Sequence, residues 1–119
     1  MSDAPMITTQ IVRLSANIAE VLIHADFHHD IEAEAKLAGR LSGPRCPGAE
    51  TIEIAYPLRA IPPNEGQPRR RSARVIIPEP NLWEAQTPFI YAGAVEIFAG
   101  DVKLANVPIE IGLRQGSNS

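Results

Sequence analysis

The sequence predicts an all-β fold, an immunoglobulin-like β-sandwich of about seven antiparallel strands, and three observations carry that prediction. Apolar and polar residues alternate with period two in run after run, the mark of strands with one face in a core and the other in water. Eleven prolines and eight glycines fall mostly between these runs, where they supply turns. No window repeats apolar residues at the three- and four-residue spacing of a capped helix. Seven strands do not close a simple up-and-down barrel of even strand number. The connections are also too short for βαβ crossovers.

Taken in order, residues 7–14 form a less regular first strand. Residues 19–27 put Val21, Ile23, Ala25 and Phe27 on one face and Glu20, His24 and Asp26 on the other. Residues 31–37 alternate without a fault through Ile31, Ala33, Ala35 and Leu37. Residues 39–49, rich in glycine and proline, read as a loop. Residues 51–58 align Ile52, Ile54, Tyr56 and Leu58. A second loop covers residues 60–72. Residues 73–77 and 89–98 follow as strands, the latter with Tyr91, Gly93, Val95 and Ile97 on its inner face. Residues 107–113 close the set with Val107, Ile109, Ile111 and Leu113. The sandwich is expected over residues 7–114, between a flexible N-terminus at 1–6 and a flexible tail at 115–119.

A chain of 119 residues is one domain's worth of protein, too short for a (β/α)₈ barrel of roughly 250 residues. Hydrophobic residues at 45% and charged residues at 21% suffice for a buried core. Eleven basic against fourteen acidic residues give a net charge of −3, which argues against nucleic-acid binding. Cys46 is the single cysteine, so an intrachain disulfide is impossible and a cysteine-based zinc site is disfavoured. No apolar run approaches the length of a membrane span, and Met1-Ser2-Asp3-Ala4-Pro5 lacks the features of a secretory signal, so no membrane association is expected. Glycine-rich phosphate loops, zincin helices and Ser/His/Asp arrangements are absent from the sequence, and no cofactor is expected.

Three clusters carry chemistry-bearing side chains. His24, Asp26, His28, His29, Asp30 and Glu32 have the residue types of a metal site. On a flat strand, however, His24 and His28 lie roughly 13 Å apart, too far to share one ion, and the patch reads as a solvated strand face ending in a hairpin tip. Glu32 and Glu34 meet the carboxylate spacing of a glycosidase, as any surface strand with alternate glutamates does, and nothing nearby marks a desolvated pocket. Arg69, Arg70, Arg71 and Arg74 hold four of the eleven basic residues, suited to an anionic partner but read here as a solvated loop entering a strand. Neither catalytic nor metal-ligating residues are assigned.

The most informative segment runs Pro78-Glu79-Pro80-Asn81-Leu82-Trp83-Glu84-Ala85-Gln86-Thr87-Pro88-Phe89-Ile90-Tyr91. Pro80 and Pro88 keep it out of a central strand, so it must cross between sheets. Leu82 and Trp83 are then placed to fold under the open end of the sandwich. Tyr91 is placed to bond back to the loop through its hydroxyl, and Gly112 marks a close approach of backbone. The segment resembles the "n-P-x-L-W-s-x-e-x-P-x-L-Y" stretch of the immunoglobulin-like domain in glycoside hydrolase family 2, the family of β-galactosidases, β-glucuronidases and β-mannosidases. The resemblance continues through a strand, the turn Ala99-Gly100-Asp101, and the closing Ile111-Gly112-Leu113-Arg114, about a third of the chain. The motif residues are Pro80, Leu82, Trp83, Pro88, Tyr91, Gly112 and Arg114.

In that family this domain is not catalytic. The acid/base and nucleophile glutamates belong to a barrel beyond the Gly-hydrophobic-Arg element, so no residue here inherits them. The resemblance therefore implies a non-catalytic accessory domain that positions neighbouring domains in carbohydrate hydrolysis. The alternative is a free-standing carbohydrate-binding, adhesion or protein-interaction module. An exposed aromatic pair near Trp83 would favour the alternative; an apolar patch near Arg114 or residues 78–90 would favour the accessory domain.

Overall fold

Alternation of this kind needs two faces to bury, and the chain supplies them as two facing antiparallel sheets. The computed structural model describes residues 5–114. Its strands are β1 (Met6–Leu14), β2 (Ile18–Asp26), β3 (Ala35–Arg45), β4 (Ile54–Pro57), β5 (Arg59–Ala60), β6 (Arg70–Pro78), β7 (Ile90–Ala99) and β8 (Val102–Ile111). One sheet has the order β1-β2-β6-β5 and the other β4-β3-β7-β8. This is the immunoglobulin arrangement, with an added edge strand beside the three-stranded sheet of the constant type.

The inward residues follow the sequence reading closely in the central strands. Val21, Ile23 and Ala25 of β2 and Ala73, Val75 and Ile77 of β6 meet Leu37 and Leu41 of β3 and Val95 and Ile97 of β7 in one core. The edges are kept from pairing with other chains. A register shift interrupts β1 between Ile11 and Arg13, β8 carries Pro108, β4 contains Pro57, and β5 spans just two residues.

Eight strands replace the expected seven, and the boundaries move in four places. The third strand is displaced: Ile31–Ala33 lie in the connection before it, while residues 39–45, expected in a loop, form its second half. Gly39 explains the misreading. It adopts a left-handed φ of 111°, and a Cβ there would collide with the Ala94 carbonyl oxygen, so the glycine permits close strand approach rather than a turn. The 60–72 loop is likewise shorter, because Ala60 belongs to β5 and Arg70, Arg71 and Ser72 to β6. The last strand begins five residues earlier, at Val102, and ends at Ile111. Met6, expected in a flexible terminus, begins β1 and pairs with Asp26. The expectations for residues 1–4 and 115–119 lie outside the described residues.

The connection from β2 to β3 joins different sheets, so His28-His29-Asp30 is not a hairpin tip. It is a crossover, and what fixes it is Arg71. This residue occupies an inward position on β6, in phase with Ala73, Val75 and Ile77, and is 4% exposed. Its guanidinium donates to the carbonyls of Ala35 (3.0 Å), Arg70 (2.8 Å), Ile31 (3.3 Å) and Glu32 (2.7 Å).

Candidate functional site

The motif residues come together at the end of the sandwich opposite Arg71. Residues 79–89 carry the chain from β6 in one sheet to β7 in the other. Glu79 turns the chain with a φ of 47°, and its N–H donates to the Asn17 carbonyl at 2.9 Å. Leu82 packs against the core beneath this crossover. The Trp83 N–H donates to the Leu113 carbonyl at 2.7 Å, and Trp83 also bridges to Pro88. A Cβ on Gly112 would stand 2.9 Å from Trp83 Cδ1, so the glycine is what lets the indole lie on the end of the last strand. Over the ring sits the Arg114 guanidinium, 4.7 Å from its centre. Tyr91 is 1% exposed, and its hydroxyl accepts the Asn81 N–H at 3.0 Å. That is a tyrosine corner at the expected position.

One detail corrects the expectation of burial: Trp83 is half-buried, because its outer face is covered by an exposed arginine rather than by core. Trp83→Ala is accordingly expected to cost about 2 kcal/mol, below the 3–5 kcal/mol usual for a fully buried aromatic. Urea denaturation gives the number directly. An unmoved midpoint would make the ring a surface platform instead of part of the closure.

The other clusters resolve into internal partnerships. Asp26 receives two hydrogen bonds from Arg70, at 2.7 and 3.1 Å. Asp30 pairs with Arg69 at 3.1 Å and Glu20 with Arg74 at 2.8 Å. With Arg71 buried, every arginine of the basic run has a partner within the chain, so the run is neither a free cationic loop nor an open anion site. His24 lies between Ser72 Oγ, 2.7 Å from Nδ1, and Gln10 Oε1, 3.4 Å from Nε2. Among the described residues no three His, Cys, Asp or Glu side chains converge as metal ligands. Glu32 and Glu34 are exposed in the crossover rather than on a strand, and Glu32 contributes its backbone carbonyl to Arg71. Cys46 sits in the turn after β3, its thiol 3.8 Å from the Pro47 carbonyl.

Burial lowers the pKa of His24 below its ordinary value, Arg70 lowers it further, and Asp26 opposes them. The unfolded chain therefore takes up a proton at this residue before the folded one does. Stability from this group is complete above about pH 6.5 and falls as pH drops through the lowered folded value. His24→Gln should lose less stability than the parent between about pH 7.5 and about pH 5 in urea titrations. Equal losses would show that the imidazole does not couple to folding.

Sequence reasoning missed a groove on the outer face of the β4-β3-β7-β8 sheet, lined by Gly39, Arg40, Ser42, Arg45, Ala92, Ala94, Glu96 and Asn106 among others. Its signal was present in the alternation Ala38, Arg40, Ser42 against Leu37, Leu41, Gly43, but reading residues 39–49 as a loop concealed it. In comparisons with known proteins, no protein-family model matches the chain and no curated protein does.

Proposed function

We propose that the chain is a non-catalytic accessory sandwich, similar to that of family 2 glycosidases, which positions neighbouring domains in carbohydrate hydrolysis. One observation supports it above the rest. Residues of the family-like segment as far apart in the chain as Asn81, Trp83, Tyr91, Leu113 and Arg114 form a single closure rather than an open site. Of the chemistry-bearing side chains elsewhere, Glu20, Asp26 and Asp30 serve ion pairs with Arg74, Arg70 and Arg69, and His24 bonds to Ser72.

No large exposed hydrophobic residue lies in the described part of residues 78–114 apart from Val102 and Leu104 at the far end of β8, so the contact surface is sought on β4 instead. Ile52 and Ile54 were expected to point inward but are 88% and 54% exposed. The facing edge strand β5 is too short to cover them. Ile54 on β4 and Ile52 just before it form an apolar ledge beside Tyr56, whose ring meets Tyr91 edge-on at 6.2 Å, so a neighbour docked there would brace the closure.

The test has two arms. Purified protein should turn over none of a panel of chromogenic β-galactosides, β-glucuronides and β-mannosides; activity lost in Glu32→Gln or Glu34→Gln would overturn the reading. The folded protein should also bind a hydrophobic dye, and Ile52→Ser with Ile54→Ser should abolish that binding without changing the fold. Dye binding that persists in the double variant would move the contact surface away from β4.

A further inference from the structure

The two outer faces of the sandwich differ in a way that folding does not require. On the β1-β2-β6-β5 face, Asp26 pairs with Arg70, Glu20 pairs with Arg74 and His24 is held by Ser72, a solvated face built largely of ion pairs. The opposite face has small side chains where a sheet usually carries long ones. Ala92 and Ala94 of β7 stand level with Ser42 and Arg40 of β3 and with Glu110 and Pro108 of β8. They floor a groove of about 610 Å³, within the range of small-molecule sites.

One of its charged walls is not matched. Arg40 is exposed and forms no ion pair or side-chain hydrogen bond among the described residues. Arg45 donates to Glu53 through Nε at 2.7 Å, which leaves its two terminal nitrogens turned to other uses. The carboxylate of Glu96 is already neutralised by Lys103 at 2.8 Å. Both arginines face outward from β3, level with Ala94 and Ile90, four residues apart on β7 and so roughly 13 Å apart along the strand. That distance exceeds one sugar ring and admits two linked rings.

We propose that this groove binds a hydroxyl-rich anion, a sugar carrying a carboxylate or a phosphate. The guanidinium groups supply charge-assisted, forked hydrogen bonds to the anion. Ser42, Asn106 and the free carboxylate oxygen of Glu96 offer donors and acceptors for ring hydroxyls. Backbone groups of these central strands are spent on the sheet ladder, so an extended peptide finds no strand edge to pair with here. No aromatic side chain lines the groove, so recognition rests on charge and hydroxyls rather than on stacking. The site stands whether or not the sandwich serves as an accessory domain.

The experiment is a titration of isotope-labelled protein followed by amide chemical shifts, with digalacturonate, glucose 6-phosphate, maltose and inorganic phosphate as probes. Saturable shifts confined to β3, β7 and β8 are expected for one or both sugar anions, with a dissociation constant on the order of 1 mM for so open a site. Which of the two binds tells carboxylate from phosphate. Arg40→Ala should weaken binding about tenfold and Arg40→Lys less, in proteins whose spectra are otherwise unchanged. Failure of both sugar anions to give saturable shifts, or affinity unchanged in Arg40→Ala, overturns the proposal. So does maltose or inorganic phosphate binding as tightly as the sugar anions.

Discussion

Replacing Tyr91 by alanine is expected to cost about 3–5 kcal/mol, a large part of the 5–15 kcal/mol that holds a domain folded. The ring is 1% exposed and sits in the core with Val95, Ile111 and Leu113. It also braces Tyr56 edge-on, so truncation opens a void between β7 and β4 as well as beneath the crossover. Tyr91→Phe separates the two roles of the side chain. It keeps the packing and removes the acceptor for the Asn81 N–H, a net loss of about 1 kcal/mol. Denaturant midpoints of the two variants measure both quantities. A phenylalanine variant as stable as the parent would show the corner hydrogen bond to be replaceable by water, and an alanine variant within about 1 kcal/mol of the parent would remove Tyr91 from the core.

Most of the fold was legible because burial imposes period two wherever a strand lies between core and water. β2 and β7 are the clearest cases: Val21, Ile23 and Ala25, and Tyr91, Val95 and Ile97, all point inward as read. The crossover was legible for a different reason, since Pro80 and Pro88 forbid a ladder strand and leave Tyr91 as the first core residue after it. What failed was the reading of glycine as a turn signal. In β3, Gly39 and Gly43 mark places where another group comes too close for a Cβ, a fact of tertiary packing with no local signature. The same error hid the groove at Arg40. Ile52 and Ile54 failed for another tertiary reason, because alternation says which residues share a face but not whether the opposing sheet extends far enough to cover it.

Arg71 shows that limit most sharply, and it carries the second large expected effect. Composition places arginine outside, and the run Arg69-Arg70-Arg71 invites a surface reading. Period two says otherwise, since Arg71 is in phase with Ala73, Val75 and Ile77. Placing a guanidinium inward is costly unless its donors are met. Here four of its five N–H groups are met, by carbonyls rather than by a carboxylate; two of those carbonyls, Ile31 and Glu32, belong to the crossover between the sheets and a third, Ala35, opens β3 just after it. Arg71→Ala should therefore cost about 3 kcal/mol, because it empties an inward position and strands the Ala35, Ile31 and Glu32 carbonyls. Arg71→Met fills the space without donors, and Arg71→Lys restores a charge without the fork, so stability should fall in the order Arg, Lys, Met, Ala. Because dipoles rather than exposed counter-ions hold the cation, this loss should persist in high salt, whereas that of Asp26→Asn, which breaks the part-exposed pair with Arg70, should shrink. Urea midpoints at low and high salt give both comparisons. If Arg71→Met matches the parent, the crossover is held by packing alone and the carbonyl clamp contributes nothing.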